Sequence, residues 1–129
     1  MNPCPFCTLA EPRILLRHPL AIVLRDGFPV SPGHTLIVPV RHVSSFFEAT
    51  AEERTAMFTL LEEAKAALDE ELHPDGYNLG INDGSAAGQT VPHLHLHLIP
   101  RYRGDRADPR GGVRWIIPEK ADYWSARGG

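Results

Sequence analysis

The N-terminal third of the chain contains three short segments in which apolar, largely β-branched residues follow one another. RILLRH and AIVLRD are separated by Pro19 and Leu20, and the turn-rich run DGFPVSPG separates the second segment from HTLIVPV. Apolar runs of this length, bounded by Pro and Gly, are typical of β-strands. We therefore predict strands over residues 13–18, 20–25 and 34–40.

The period of the apolar residues changes at Thr50. Thr50 and Glu53 have the spacing of a capping box, which marks the start of a helix. Apolar residues then recur every three or four positions until Pro74 and Gly76 interrupt the pattern. The sequence predicts one long amphipathic helix over about residues 51–72, with apolar positions at Met57, Leu60, Leu61, Ala64 and Leu68.

Strand character resumes after the helix. YNLGIN (77–82) predicts a fourth strand, DGSAAGQT (83–90) a glycine-bearing loop, and VPHLHLHLIPR (91–101) a fifth strand. From Tyr102 the chain is rich in Arg, Gly and Pro, so we expect VRWII (113–117) and the two tryptophans to form an irregular tail packed on the body. One helix among strands, without regular β-α-β alternation, predicts a single α+β domain with an antiparallel sheet.

Composition and charge limit the classes of function. The 129 residues are 43% hydrophobic, and no stretch approaches the ~20 apolar residues that a membrane span needs. The first residues lack the basic and apolar regions of a secretion signal, so we expect a cytoplasmic protein without a membrane partner. A formal charge of −3 argues against a surface that coats nucleic acid, and it leaves a small phosphorylated ligand open.

The segment VPHLHLHLIPR carries His93, His95 and His97 at every second position, with leucines between them. On a strand, alternate side chains share a face, so the histidines project to one side and the leucines to the other. Two chemistries fit three imidazoles on one face. The rings could converge on a metal ion, or one could attack phosphorus while its neighbours hold charge and orientation.

The loop that precedes the histidines favours phosphorus chemistry. DGSAAGQT supplies two glycines, exposed backbone N–H groups, the amide of Gln89 and the hydroxyl of Thr90, and these groups are suited to holding phosphate oxygens. No spare carboxylate in this loop is placed as a metal ligand.

Cys4 and Cys7 are the only cysteines, and two residues separate them. In a cytoplasmic protein this spacing indicates zinc or a redox pair. A thioredoxin-like pair belongs at a strand-to-helix junction, whereas these cysteines precede a proline-interrupted strand, so zinc is favoured. A closed zinc site takes four ligands, and two histidines are needed to complete it.

The stretch NDGSAAGQTVPHLHLHLIPR resembles the signature of the histidine triad (HIT) superfamily, His-φ-His-φ-His-φ-φ after Gly-Gln-Ser/Thr, where φ is apolar. The resemblance extends to PVSPGHTLIVPVRHV (29–43) and to CPFC, so it covers about residues 4–101 and leaves a tail over 102–129. It implies a sheet of about five antiparallel strands with one long and one short helix. It also implies hydrolysis or transfer of nucleoside phosphates through a nucleotidyl-histidine intermediate, and a homodimer that joins two sheets into one.

The resemblance assigns roles to the histidines and to the phosphate loop. His95, in the middle of the triad, matches the nucleophile, and His97 matches the residue that donates a hydrogen bond to the phosphoryl oxygen. Asn82 and Thr90 match positions that contact the phosphate or the leaving-group atom. Gln89 matches a neighbouring position, where its side chain could instead brace the loop.

The resemblance also implies a nucleoside pocket and a metal centre. Relatives that begin with CxxC, and the related galactose-1-phosphate uridylyltransferases, complete a zinc site with a histidine upstream of the triad and with the first triad histidine. The matching positions are Asp26 for the ribose hydroxyls, Phe6, Leu9 and Leu24 for the walls around a purine base, His34 for a residue beside the triad, and Cys4, Cys7, His42 and His93 for zinc.

The substrate and two other functions stay open. VPHLHLHLIPR resembles the branch that hydrolyses dinucleoside polyphosphates, but nucleoside phosphoramidases share Asn82 and Thr90 equally well, and the tail departs from both branches. A catalytic metal held by the triad itself is a second possible chemistry, although no carboxylate or later histidine completes such a pattern. A nucleotide-binding adaptor with vestigial catalysis is a third function, which the intact triad disfavours.

Overall fold

The computed structural model describes residues 4–126, in which five strands form one antiparallel sheet and one long helix packs on it. Residues 1–3 and 127–129, the ends of the predicted domain and tail, lie outside the described residues. The strands and the helix are β1 (Ile14–His18), β2 (Ala21–Arg25), β3 (Thr35–Pro39), α1 (Ala51–Leu72), β4 (Gly76–Gly80) and β5 (Leu96–Arg101). Their order in the sheet is β1-β2-β3-β5-β4.

The order of the strands brings β5 to an inner position. β5 pairs with β3 through Leu36 and His97 and with β4 through Gly80 and His97. The chain leaves β3, crosses the sheet as α1, forms the outer strand β4 and then returns as β5 between them. The backbone of His97 therefore lies between two paired strands, which limits its movement.

The alternation of leucine and histidine is confirmed. Leu94, Leu96 and Leu98 are buried in the core that α1 covers, together with Val23 and Ile37 of the central strands. The opposite face of β2 and β3 is also buried. A second cluster lies there, with Phe6, Leu9 and Ile14 packed against Ile22, Leu24, Leu36 and Val38.

The helix α1 begins as the sequence predicts. The Thr50 hydroxyl accepts a hydrogen bond from the Glu53 backbone, and the Glu53 carboxylate accepts one from the Thr50 N–H at 2.8 Å. Glu53 is only 3% exposed, and its carboxylate also forms a two-pronged ion pair with Arg41. These hydrogen bonds lower the pKa of Glu53 to about 2. The predicted bounds of the helix are correct because both ends carry local signals.

Three details differ from the sequence prediction. The fifth strand, predicted over 91–101, begins at Leu96, so His93 and His95 precede it and His97 lies on it. Pro92 has no N–H, and Leu94 donates to the Val43 carbonyl outside the sheet. Within residues 4–126 the expected short helix is not a second α-helix, and short 3-10 turns such as Phe46–Glu48 occur instead. The tail also forms 3-10 turns, at Gly112–Ile116 and Pro118–Lys120. No helix in this part of the chain is long and apolar enough to cross a membrane.

Candidate active site and metal centre

The ring of His95 has one nitrogen fixed and one available. Its Nδ1 lies 2.8 Å from the backbone carbonyl oxygen of His93, and a carbonyl can only accept a hydrogen bond. Nδ1 therefore carries the proton, and Nε2 of the neutral ring keeps its lone pair. The ring is half-buried and lies beside Phe6 and His97, with ring centroids 5.1 and 5.0 Å away. This tautomer is the one that a histidine nucleophile needs.

His97 is fixed in the opposite tautomer by a chain of hydrogen bonds. The Val30 N–H donates to Nδ1 of His34 at 3.1 Å, so His34 carries its proton on Nε2. That Nε2 lies 2.9 Å from Nδ1 of His97 and donates to it. The remaining proton of neutral His97 is on Nε2, where it can be donated. Burial, with the neighbouring His95 and His34, lowers the pKa of His97 to about 4, so the ring is neutral at pH 7.

Asp26 lies beside the hydrogen bond between His34 and His97. One carboxylate oxygen is 3.4 Å from Nε2 of His34, and the other accepts a hydrogen bond from the Phe28 N–H at 2.8 Å. Asp26, His34 and His97 are close enough together to be considered as metal ligands. The 2.9 Å contact between the two rings is already a hydrogen bond, however, so the three residues are better described as a proton-ordering chain. The side chain of Asp26 is half-buried and keeps part of its surface open.

The loop before the histidines is held in shape by its own glutamine. Gly84 and Gly88 have positive φ angles of 93° and 94°, which other residues rarely adopt. The Gln89 oxygen accepts a hydrogen bond from the Gly84 N–H, and its amide donates to the carbonyls of Ser44 and Val91. Of the two roles considered for Gln89, this geometry supports bracing of the loop. The side chains of Asn82 and Thr90 are exposed.

The apolar wall lies beside His95. Phe6 and Leu9 are half-buried and pack over the cluster on the histidine face of β2 and β3, and Phe6 contacts both His93 and His95. Leu24 is fully buried within that cluster. Phe6 and Leu9 therefore present the surface of the wall, and Leu24 supports it from below.

Cys4, Cys7, His42 and His93 converge although they come from three separate parts of the chain. Nδ1 of His93 lies 3.3 Å from the Cys4 sulfur, 3.5 Å from the Cys7 sulfur and 3.2 Å from Nδ1 of His42. Nε2 of His93 lies 2.8 Å from the Pro39 carbonyl oxygen, so Nε2 is protonated and Nδ1 has the lone pair. A single lone pair cannot accept hydrogen bonds from three groups, whereas one cation would satisfy all four ligands.

The spacing of the four atoms fits a tetrahedral zinc ion. Zn–N and Zn–S bonds of about 2.0 and 2.3 Å place tetrahedral ligand atoms about 3.3–3.8 Å apart. The observed contacts of 3.2–3.5 Å are close to this range. The hydrogen bond from His93 to Pro39 is of the kind that orients a histidine ligand from outside the coordination shell. His93, fully buried, is the least exposed member of the group, and burial lowers its pKa, which favours the neutral ligand form.

Several residues at the site escaped the sequence prediction. Asp83 accepts hydrogen bonds from the Ser45 hydroxyl and the Phe46 N–H. These bonds hold the loop 83–90 against the turn before α1. The acidic residue next to Gly84 could have indicated this. The backbone partners that set the ring tautomers, namely the N–H of Val30 and the carbonyls of Pro39 and His93, carry no signal in the sequence.

We predict opposite tautomers for His95 and His97 at pH 7. Two-dimensional ¹H–¹⁵N correlation spectra of the imidazoles should show His95 with its proton on Nδ1 and His97 with its proton on Nε2. Because the pKa of His97 is about 4, its ring should stay neutral down to about pH 5. In His34→Gln, which removes the donating ring, the preference of His97 should weaken. A His97 ring protonated at pH 6, or one with its proton on Nδ1, would contradict this arrangement.

Known proteins are similar to this chain in sequence and in fold. Residues 9–104 match the HIT domain family. The chain is 40% identical over 93 residues (72% of this chain, 51% of the relative) to the bis(5'-nucleosyl)-tetraphosphatase [asymmetrical] of Schizosaccharomyces pombe. It is 38% identical over 101 residues (78% and 46%) to the bis(5'-adenosyl)-triphosphatase of Saccharomyces cerevisiae, so it spans about half of each enzyme. A crystal structure of a Zn-bound histidine triad family protein from Mycobacterium smegmatis superposes with a TM-score of 0.66 and 32% identity, covering 88% of this chain and 86% of that one. The chain belongs to the HIT domain family.

Proposed function

We propose that this protein is a nucleotide phosphohydrolase or nucleotidyl transferase that cleaves at an α-phosphate through a nucleotidyl group on His95. The observation that carries this proposal is the pair of tautomers of His95, directly before β5, and His97, on β5. Nε2 of His95 has a free lone pair, and neutral His97 beside it carries a donor on Nε2. One ring can attack phosphorus while the other stabilises the charge that develops on oxygen.

In the first step, the lone pair on Nε2 of His95 forms a bond to the α-phosphorus. The phosphoanhydride P–O bond breaks, and its electron pair leaves with the oxygen of the leaving group. The ring becomes positively charged, and the carbonyl of His93 stabilises it by accepting the Nδ1–H hydrogen bond. Nε2–H of His97 donates to a non-bridging oxygen, whose negative charge grows in the transition state.

In the second step, water attacks the same phosphorus, and the N–P bond breaks. The electron pair returns to Nε2 of His95, one water proton passes to solvent, and the nucleoside monophosphate is released. Asn82, Thr90 and the backbone N–H groups of the loop that Gln89 braces would hold the phosphate in both steps. Asp26 would bind the ribose, and the wall of Phe6 and Leu9, supported by Leu24, would contact a purine base.

We infer that dinucleoside polyphosphates are the substrates, because two relatives with 38–40% identity are named as hydrolases of such compounds. Nucleoside phosphoramidates remain the second candidate substrate, since the transferred half is the same in both. A binding protein with vestigial catalysis is disfavoured because nucleotide binding alone does not require the tautomers of His95 and His97.

We also propose that Cys4, Cys7, His42 and His93 hold a structural zinc ion. The convergence of four ligand atoms and the zinc-bound relative support this assignment. When bound, zinc would tie the N-terminal segment to the residue whose carbonyl orients His95. Thiolate ligands of this kind fit a reducing compartment, so we place the protein in the cytoplasm.

A homodimer is our third proposal. β4 is an outer strand of the sheet, and the apolar side chains of Leu79 and Phe58 are 47% and 48% exposed on the helix side of the sheet. Pairing of β4 with its copy would satisfy the open edge and cover this surface.

We predict that His95→Ala reduces turnover of the best dinucleoside polyphosphate by at least about a thousandfold, since no other group supplies the attacking lone pair. Binding of the same compound, measured by isothermal titration, should change by less than about threefold because the wall and loop remain. His73→Asn is a matched control, as it removes an imidazole far from the site at a helix end whose φ of 49° asparagine tolerates. Inversion at a chiral α-phosphorus would contradict the two-step reaction, because two in-line displacements give net retention.

We predict about one zinc per chain in protein purified without a tag, measured by plasma emission spectroscopy. His42→Ala should lose most of the metal and lower the melting temperature by several degrees, because the ligands hold the N-terminal segment to the sheet. His73→Asn should retain the metal. Metal-free protein of unchanged stability would rule out the zinc assignment.

Light scattering at micromolar concentration should give the mass of a dimer, about twice the 14.3 kDa of one chain. A Leu79→Lys variant should shift the protein toward monomer by placing a charge on the exposed apolar surface. The exposed Leu15→Lys substitution, on the opposite edge strand β1, is the control and should leave the dimer intact. A monomeric wild-type mass would overturn this proposal.

A further inference from the structure

A cavity of about 490 Å³ continues the histidine face of β5 beyond the triad. Ile99 and Arg101 follow His97 on the same face, and Asn78 of β4 is the register partner of Ile99. All three line the cavity. At about 3.3–3.4 Å per residue, Ile99 lies about 7 Å from His97 along the strand. The cavity therefore begins one side-chain repeat beyond His97 and two repeats, about 13 Å, beyond the proposed nucleophile His95.

The C-terminal tail builds the opposite wall of this cavity. Asp105, Asp108, Pro109 and Trp115 line it, and they follow residue 104, where the match to the HIT domain family ends. This wall is thus a property of this chain rather than of the matched domain. The cavity volume lies in the range of about 300–1,000 Å³ that is usual for small-molecule sites.

The walls are fixed by specific contacts. The indole N–H of Trp115 donates to the Arg110 carbonyl at 2.8 Å, and a side chain on Gly111 would come within 3.1 Å of that nitrogen. On the other side, the Tyr102 hydroxyl donates to the Pro32 carbonyl, and the Ser31 hydroxyl donates to the Pro100 carbonyl. The cavity is therefore formed before a ligand enters.

Among the charged side chains that line the cavity, the guanidinium of Arg106 is available to bind a ligand. Arg101 uses its guanidinium in a two-pronged pair with Asp105 and in a hydrogen bond to Asn78. Asp108 pairs with Arg110. The guanidinium of Arg106 forms no ion pair or side-chain hydrogen bond with the residues that the structure describes between 4 and 126. A mainly apolar cavity with an aromatic ring and one available guanidinium suits a nucleoside that carries phosphate.

We propose that this tail cavity binds the leaving-group half of a dinucleoside polyphosphate, with the base against Trp115 and Ile99 and the outer phosphates at Arg106. This inference rests on the proposed function. The wall of Phe6 and Leu9 lies over β2 and β3 beside His95. The tail cavity lies beyond His97, between the tail and the surface formed by β4, β5 and the loop residues Val30, Ser31 and Pro32. An anhydride cleaved at His95 would extend from the first site into the second.

The test compares two substrates that share the transferred half but differ in the leaving group. Diadenosine tetraphosphate releases a nucleotide, and adenosine 5′-phosphoramidate releases ammonia. In Trp115→Ala and in Arg106→Gln, the ratio of kcat/KM for the tetraphosphate to kcat/KM for the phosphoramidate should fall about tenfold from that of the wild type. Trp115→Phe keeps an aromatic ring and should lose less.

The matched controls are Arg103→Gln and Ile116→Ala. Arg103 and Ile116 are exposed neighbours that do not line the cavity, and neither change should alter the ratio. If melting curves show that Trp115→Ala is unfolded, Trp115→Leu, which also removes the aromatic ring, and Arg106→Gln carry the test.

Two results would overturn the subsite while leaving the proposed function intact. One is an unchanged ratio in Arg106→Gln together with an unchanged ratio in Trp115→Ala or Trp115→Leu, and the other is a wild-type protein that hydrolyses only the phosphoramidate. A wild-type protein that hydrolyses neither compound would overturn the proposed function and the subsite together.

Discussion

Burial of Leu94, Leu96 and Leu98 under α1 determines the face on which the three histidines lie. A shift of β5 by one residue would place the imidazoles in the core and the leucines at the surface, so the apolar core and the site cannot be changed independently. The pairing of His97 with both neighbouring strands fixes the register further. This double pairing explains why an inner strand suits the proposed chemistry, because a neighbouring strand on each side fixes the position of the backbone that carries the ring.

Each histidine of the triad has one nitrogen held by a partner, and the partner decides what the other nitrogen can do. Carbonyl oxygens hold Nε2 of His93 and Nδ1 of His95, so the lone pairs lie on opposite nitrogens and face different places. A protonated ring nitrogen holds Nδ1 of His97 and leaves a donor on Nε2. Three identical side chains thereby become a candidate metal ligand, a candidate nucleophile and a hydrogen-bond donor.

The sequence was sufficient where signals are local. The capping box at Thr50 and the interruption at Pro74 gave the bounds of α1, and the alternation of leucine and histidine gave the face of each ring. The resemblance to the HIT superfamily predicted that Cys4 and His42 lie in one cluster, which the spacing of the residues alone could not predict. The start of β5 and the cavity of the tail were not predicted, and the sequence left both the phosphate-binding and the bracing role of Gln89 open. They depend on backbone partners and on packing between residues far apart in sequence, such as Tyr102 with Pro32.

His93 connects the metal centre to the candidate nucleophile within one residue. Its side chain lies among the Cys4, Cys7 and His42 ligands, while its own carbonyl accepts the proton-bearing nitrogen of His95. Movement of His93 would change the distance from that carbonyl to His95 Nδ1, and with it the stability of the tautomer that exposes the Nε2 lone pair. A structural ion bound at this position would therefore act on the proposed reaction without touching the substrate. It would hold a backbone oxygen in place while positive charge develops on the attacking ring.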